Sequence, residues 1–159
     1  MIFKGKAHLL GDNIDTDTLI PAMYCATFEP SVMREHLLEK HDPDFKNRVS
    51  QGDILFAGEN FGNGSSREHA PLALKAVGIT AVVVRSVARI FYRNAFNVGI
   101  PVIECDEAVA YVEPGDQVEV DLKNGIIRIK EMKFTIKPIP EFMQQIIEKG
   151  GLVEYHSQI

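Results

Sequence analysis

The reactive side chains of this sequence crowd into one run, Gly58-Glu59-Asn60-Phe61-Gly62-Asn63-Gly64-Ser65-Ser66-Arg67-Glu68-His69. Gly58, Gly62 and Gly64 free the backbone for conformations that a β-carbon forbids and let a small ligand approach the main chain. Ser65 and Ser66 place two hydroxyls beside the guanidinium of Arg67, whose planar fork of donors matches a carboxylate. Successive backbone N–H groups at a helix start would add positive potential for an anion. The run contains no Gly-Lys-Ser/Thr, so it is not a nucleotide-phosphate loop, and its glycines lack the dinucleotide-binding spacing. From spacing alone two readings stand: an anion cradle, or a glycine loop closed by a serine cap with a solvated arginine.

A second candidate is Asp12-Asn13-Ile14-Asp15-Thr16-Asp17. Its three carboxylates suit a cation or a set of Asx turns, but neither register has the glycine and glutamate of a calcium loop. A carboxylate here could also hold an arginine or histidine of the first run. Arg85, Arg89 and Arg93 recur four residues apart and would share one helix face if a helix begins near Ser86. Cys25 and Cys105 have no histidine nearby in sequence and read as small core or loop residues, not nucleophiles.

These residues need a scaffold, and the hydrophobic pattern predicts one. Residues 2–10 read as a strand, and Ser31 as the N-cap of a helix with Val32, Met33, Leu37 and Leu38 on one face. Residues 41–52 read as polar connection, and 53–57 as a short apolar strand. A helix over 70–77 ends at Gly78, with a tight turn through Arg67 and Glu68 that lets Pro71 open it. Ala81-Val82-Val83-Val84 is a strand buried on both faces, Ser86 a cap for a helix over 87–97, and Pro101-Val102-Ile103 another strand. Such alternation signals a parallel sheet with crossover helices. Beyond Asp106, residues 117–122 alternate with period two, Asn124-Gly125 forms a hairpin turn, and 126–129 return. Phe142, Met143, Ile146 and Ile147 mark a last helix, stopped by Gly150-Gly151. The expected fold class is α/β: a single domain over 1–159 with a mostly parallel central sheet, flanking helices and a β-rich C-terminal part.

Composition narrows the function. With 159 residues, 45% of them hydrophobic, the chain can bury one ordinary core. Its 17 basic against 22 acidic residues leave a charge of −5, without a Lys/Arg-rich run, which argues against a nucleic-acid partner. No apolar stretch approaches the roughly 20 residues of a membrane helix. Lys4 and Lys6 interrupt the region where a secretory signal would be apolar. Two cysteines are too few for a disulfide framework or for the roughly four ligands of an iron–sulfur cluster. A reducing cytoplasm is therefore expected, with no metal bound by this chain. Of the five histidines, His36, His41, His69 and His156 lie far apart or lack partners at ligand spacing.

Three of these stretches together resemble one family. Asp-Asn-Ile-Asp-Thr-Asp-Thr at 12–18, Gly-Ser-Ser-Arg-Glu-His-Ala at 64–70 and Ala-Arg-Ile-Phe-Tyr-Arg-Asn at 88–94 are similar, in kind and order, to the small subunits of 3-isopropylmalate dehydratases. The closing Ile-Ile-Glu-Lys-Gly-Gly-Leu-Val at 146–153 extends the resemblance over nearly the whole chain. Those subunits are the counterpart of the swivelling domain of aconitase. The resemblance implies a swivelling β/β/α domain and a hydro-lyase that isomerises 2- and 3-isopropylmalate through isopropylmaleate in leucine biosynthesis. It also implies a partner, an aconitase-like large subunit carrying a [4Fe–4S] cluster whose iron binds the substrate hydroxyl.

Carried over residue by residue, the resemblance makes Ser65 the base that removes a proton from carbon. Ser66 becomes a hydrogen-bond donor and Arg67 the binder of a substrate carboxylate. Asp12, Asp15 and Asp17 would support the site wall, together with Gly62, Gly64, Glu68 and His69. Tyr24 and Thr27 keep part of the family's Tyr-Leu-x-Thr pattern in the loop that meets the substrate side chain, with Cys25 in place of leucine. Asn63 stands where many relatives have cysteine. No arginine lies between Pro21 and Pro30, which implies an apolar substituent on a small di- or tricarboxylic hydroxy acid. Homoaconitase and methylmalate- or dimethylmalate-type dehydratases stay open within this class, and a non-catalytic anion-binding or regulatory module outside it. The chain alone is expected to be inactive, with its 22–30 loop mobile when no partner is bound.

Overall fold

Four successive apolar residues leave Ala81–Val84 no solvent-facing side, and in a computed structural model this strand lies inside a sheet. The structure describes residues 1–157. In chain order the strands are β1 (Ile2–Leu9), β2 (Ile54–Phe56), β3 (Ala81–Val84), β4 (Val102–Glu104), β5 (Gln117–Asp121), β6 (Ile126–Ile129) and β7 (Met132–Thr135). They form one seven-stranded sheet in the order β4-β3-β2-β1-β5-β6-β7. The half from β4 to β1 is parallel and the half from β1 to β7 antiparallel, so β1 belongs to both. The α/β class holds, with the β-rich part where the period-two alternation put it.

Side chains of the parallel strands alternate between two apolar clusters, as the pleat requires. Leu55, Val82 and Val84 point into one, with Met33, Leu37, Ala70, Leu74, Phe91 and Ala95. Those partners come from α2 (Pro30–His36), α4 (His69–Val77) and α5 (Arg89–Asn97), or directly follow α2. Ile54, Phe56, Ala81, Val83 and Ile103 point into the other cluster, with Val118, Val120, Ile127, Ile129 and Phe134 of the antiparallel half. Two halves that share one cluster must curl toward each other. The second cluster also takes Ala108 from α6 (Asp106–Tyr111) and Ile147 from α7 (Glu141–Glu148). Short helices α1 (Thr16–Leu19) and α3 (Phe45–Arg48), a 3₁₀ turn over Ala22–Tyr24 and α8 (Leu152–Ser157) complete the described elements, so the helix stopped by Gly150-Gly151 is not the last.

Several local expectations are revised. Ser31 lies inside α2, which Glu29 caps and Pro30 opens, because proline is already set for the first helical position. Leu37 and Leu38 follow α2 instead of extending it, Leu38 with φ 55°, yet both are fully buried. The connection over 41–52 contains α3, held by buried Phe45. The helix expected from residue 87 begins at Arg89, so Arg85 is not on its face. Gly78 does end α4 in the left-handed conformation, φ 114°, which only glycine adopts without strain.

Candidate functional site

Leu9, Phe56 and Val84 end β1, β2 and β3, and the three sequence stretches with chemical character leave from there. Open parallel sheets bind ligands at that C-terminal edge. The stretches are sewn together by main-chain bonds. Gly58 N–H donates to the Gly11 carbonyl (3.1 Å), Asn13 N–H to Glu59 (2.8 Å), Gly62 N–H to Ile14 (2.7 Å), and Thr16 N–H to Asn63 (2.9 Å). Phe61 N–H donates to Ser86 (3.0 Å) and Ala88 N–H to Phe61 (2.9 Å), closing a bridge between Phe61 and Val87.

One side chain anchors this assembly. Phe61 is fully buried and meets Phe91 of α5 edge-on at 5.1 Å between ring centres. Burial of such a ring contributes about 1.5–3 kcal/mol. Gly62, φ 77°, sits against Phe91, and a β-carbon there would overlap that ring. Gly64, φ 108°, would place one 3.1 Å from Thr16 Oγ1. The glycines thus serve close packing beneath the loop as well as its turn.

The three carboxylates of the first stretch each have a separate task. Asp12 Oδ1 accepts from Glu59 N–H (2.7 Å), locking the two loops. Asp15 caps α1 by accepting from Thr18 N–H (2.7 Å). Asp17 Oδ1 accepts from Arg67 Nη1 at 3.2 Å, and the same Nη1 donates to the Ile20 carbonyl at 3.4 Å. Arg67 is largely buried, 21% exposed in its side chain, whereas Asp17 is 63% exposed. Hydrogen bonding by Arg67, then by the Ala22 main chain, holds the Asp17 carboxyl below its ordinary value. Asp17 therefore orients the arginine from the solvent side. Arg67 Nη2 and Nε make no hydrogen bond among the described residues, so one edge of the fork stays available for a bidentate acid.

Ser65 and Ser66, directly before Arg67 in the chain, are exposed in the loop that leads into α4. Arg67 N–H donates to the Ser65 carbonyl (2.9 Å), which makes the tight turn before α4. α4 starts at His69, so Pro71 falls in its first turn, where the missing N–H has no intrahelical partner to lose. Glu68 stands exposed at the cap without a side-chain bond. Ser86 Oγ does not cap α5: it accepts from Asn60 N–H (2.7 Å) and donates to Glu59 Oε2 (2.9 Å).

Two polar atoms of the loop are buried without a partner among the described residues, Asn63 Oδ1 and His69 Nε2. Each such atom costs about 1–3 kcal/mol. His69 is 9% exposed, and Phe28 stacks on its ring at 4.2 Å and 21°. Sequence reading missed the role of Phe28. Tyr24, in a 3₁₀ turn over Ala22–Tyr24, stacks on His36 at 3.7 Å and 3°. The Glu39 carboxylate beside its hydroxyl pushes Tyr24 up. Thr27 Oγ1 accepts from Glu29 N–H at 3.1 Å where the chain enters α2.

An iron–sulfur cluster does not fit this donor set. Cys25 follows the 3₁₀ turn and Cys105 precedes α6, and two thiols fall short of about four ligands. Among the described residues no three His, Cys, Asp or Glu side chains group in a way that could hold a metal ion. No helix among them is long and apolar enough to cross a membrane.

The sequence pattern of the aconitase C-terminal domain matches residues 31–108. The 3-isopropylmalate dehydratase small subunit of Caldicellulosiruptor bescii is 59% identical over 157 residues, 98% of this chain and 95% of that one. The 2,3-dimethylmalate dehydratase small subunit of Eubacterium barkeri is 51% identical over 154 residues, 96% and 94% of the two chains. The crystal structure of 3-isopropylmalate dehydratase from Methanocaldococcus jannaschii superposes with a TM-score of 0.91 at 42% identity, covering 99% of this chain and 95% of that one. Identity of this depth along both full lengths, on a shared fold, means that the chain belongs to the 3-isopropylmalate dehydratase small-subunit family, hydro-lyase subunits of the aconitase type.

Proposed function

We propose that the 58–69 loop is the acid-binding and proton-abstracting half of a hydro-lyase site that a large subunit completes. The observation that carries this reading is the held arginine: Arg67 is tied at Nη1 to Asp17 and the Ile20 carbonyl, and two exposed serines directly precede it in the chain. In this reading Arg67 binds a substrate carboxylate, Ser66 donates a hydrogen bond, and Ser65 removes the proton from the carbon next to that carboxylate. The developing dianion is stabilised by preorganised donors and by the guanidinium. A serine hydroxyl is a weak base in water, so its alkoxide form needs a dry, electropositive surrounding. Both serines are exposed in this chain alone, so the covering surface has to come from the partner.

Asp12, Asp15, Gly62 and Gly64 act through the loop's shape, and Glu68 and His69 through the start of α4. The [4Fe–4S] cluster is assigned to the large subunit, where it would supply a Lewis acid for the departing hydroxyl. The assembled pair works in a reducing cytoplasm, which suits two free thiols.

The substrate in this reading is isopropylmalate, because the segment after Pro21 carries Met23, Tyr24 and Phe28 but no arginine for a second acidic arm. 2,3-Dimethylmalate is the second reading, favoured by the dimethylmalate dehydratase relative, whose 51% identity lies within the span of 49% to 59% of isopropylmalate dehydratase relatives. Turnover by the chain assembled with its large subunit tests both. The expected order of kcat/KM is isopropylmalate, then 2,3-dimethylmalate, then homoaconitate. Equal or greater turnover of homoaconitate would remove the apolar-substituent argument, and an assembled pair inactive on all three would overturn the function.

A further inference from the structure

The segment between Pro21 and α2 carries two exposed apolar side chains, Met23 and Phe28, in a position where solvent would normally leave them loose. Phe28 is 59% exposed, yet one face of its ring lies on His69, 4.2 Å away and 21° from parallel. His69 is the first residue of α4, two positions after Arg67 and three after Ser66. It is nine-tenths buried, and its Nε2 has no hydrogen-bond partner among the described residues. A histidine kept in that state serves its ring face, not its ring nitrogen, in this conformation. The other end of the segment is held in the same manner, by Tyr24 on His36 of α2. Both helices belong to one apolar cluster, which contains Met33 of α2 and Ala70, Ala73 and Leu74 of α4.

We propose that Phe28 and His69 form a latch that ties the 22–30 segment to the catalytic loop, with His69 as the positioning residue and Phe28 as the part that can be released. The proposal deepens the hydro-lyase reading and rests on it: the latch fixes where Tyr24 and Thr27 stand relative to Arg67 when the hydroxy acid binds. Releasing the segment leaves Ser65, Ser66 and Arg67 in place, since their loop is sewn to residues 11–16 and 86–88 by main-chain bonds. Loss of the latch therefore weakens substrate binding more than it slows the chemical step.

An aromatic pair of this kind is worth roughly a two- to tenfold change in an equilibrium. In the free chain, Phe28→Ala should speed amide exchange across 22–29 by about that factor and leave α4 unchanged. In the assembled pair, KM for isopropylmalate should rise by a similar factor with kcat changed less than about twofold. Phe28→Tyr, which keeps the ring, should restore both values. His69→Phe keeps a stacking face and should resemble the parent protein more closely than His69→Ala does. Exchange unaltered by Phe28→Ala would overturn the latch, and faster exchange with an unchanged KM would overturn its role in substrate binding. A parent pair inactive on every hydroxy acid overturns the functional reading, a result that the exchange measurement does not share.

Discussion

At the N-terminal end of β2, Asp53 is 3% exposed and its carboxylate is surrounded by donors. His8 Nε2 lies 2.7 Å from Oδ2, Ser50 N–H donates to the same oxygen at 2.9 Å, and Lys6 N–H donates to Oδ1 at 3.1 Å. At the C-terminal end of the same strands the polar groups are as dense but far less completed. Ser65 and Ser66 face solvent, Arg67 has one edge of its fork unbonded, and Asn63 Oδ1 and His69 Nε2 are buried without partners. Burial of an ion is tolerated only where hydrogen bonds replace its water, and Asp53 meets that condition. The upper end leaves binding capacity open to an outside molecule. One end of the sheet holds the fold together; the other is half of a site in the proposed reading.

Mutations at the two ends should separate activity from stability. Ser65→Ala removes a base that touches only substrate in the proposed site, so turnover by the assembled pair should fall by about 10²–10⁴-fold. Because Ser65 is exposed, unfolding free energy should change by less than about 0.5 kcal/mol in urea titration. An active Ser65→Ala enzyme would erase the contrast at its strongest point.

Asp53→Ala should do the reverse. It leaves His8 and two backbone N–H groups without their acceptor and should destabilise the chain by about 3–5 kcal/mol, with kcat of the surviving folded enzyme unchanged. The same group makes stability depend on acid. Burial by itself would raise the Asp53 carboxyl, but bonds from His8, Ser50 and Lys6 outweigh it and hold the group below its ordinary value. A lowered folded-state value means that the unfolded chain takes up the proton first as pH falls. The contribution of Asp53 is thus complete above about pH 4 and is lost as pH drops through the folded-state value. Denaturant midpoints measured downward from pH 5 should fall more steeply for the parent protein than for Asp53→Asn. Parallel curves would mean that Asp53 is no better solvated in the fold than in the open chain.

The sequence reveals these two ends unevenly. Ala81–Val84 and Ile126–Ile129 are legible because one is continuously apolar and the other pairs across an Asn-Gly turn. β7 is hidden because its hairpin turns on Lys130, φ 56°, without a glycine to announce it. Ser86 looks like a helix cap, and becomes a cross-link because Phe61 draws Val87 into a bridge and delays α5. In Gly-Ser-Ser-Arg-Glu-His the residue types are legible, but spacing alone leaves an anion cradle and a capped glycine loop both open, and only the family resemblance supplies the proposed roles. The Phe28–His69 stack is not, because 41 positions separate the two rings and only the packing of α2 on α4 brings them together. His8 escapes for the same reason: its carboxylate, Asp53, lies 45 positions away and arrives at the start of the neighbouring strand.

Asp17 offers the finest comparison, because it is an ion pair at the open end with the exposure that Asp53 lacks. An exposed pair contributes only a small, solvent-screened energy, so Asp17→Asn should barely alter unfolding. Its task is to hold Arg67 Nη1, and the neutral amide keeps an acceptor oxygen while losing the charge. KM for the hydroxy acid should then rise by about two- to fivefold, the equivalent of that small energy, with kcat nearly unchanged. Asp17→Ala, which removes the acceptor as well, should raise KM further. If both variants bind substrate as the parent does, the Ile20 carbonyl is enough to orient Arg67, and the carboxylates of the first loop belong with Asp53, as architecture.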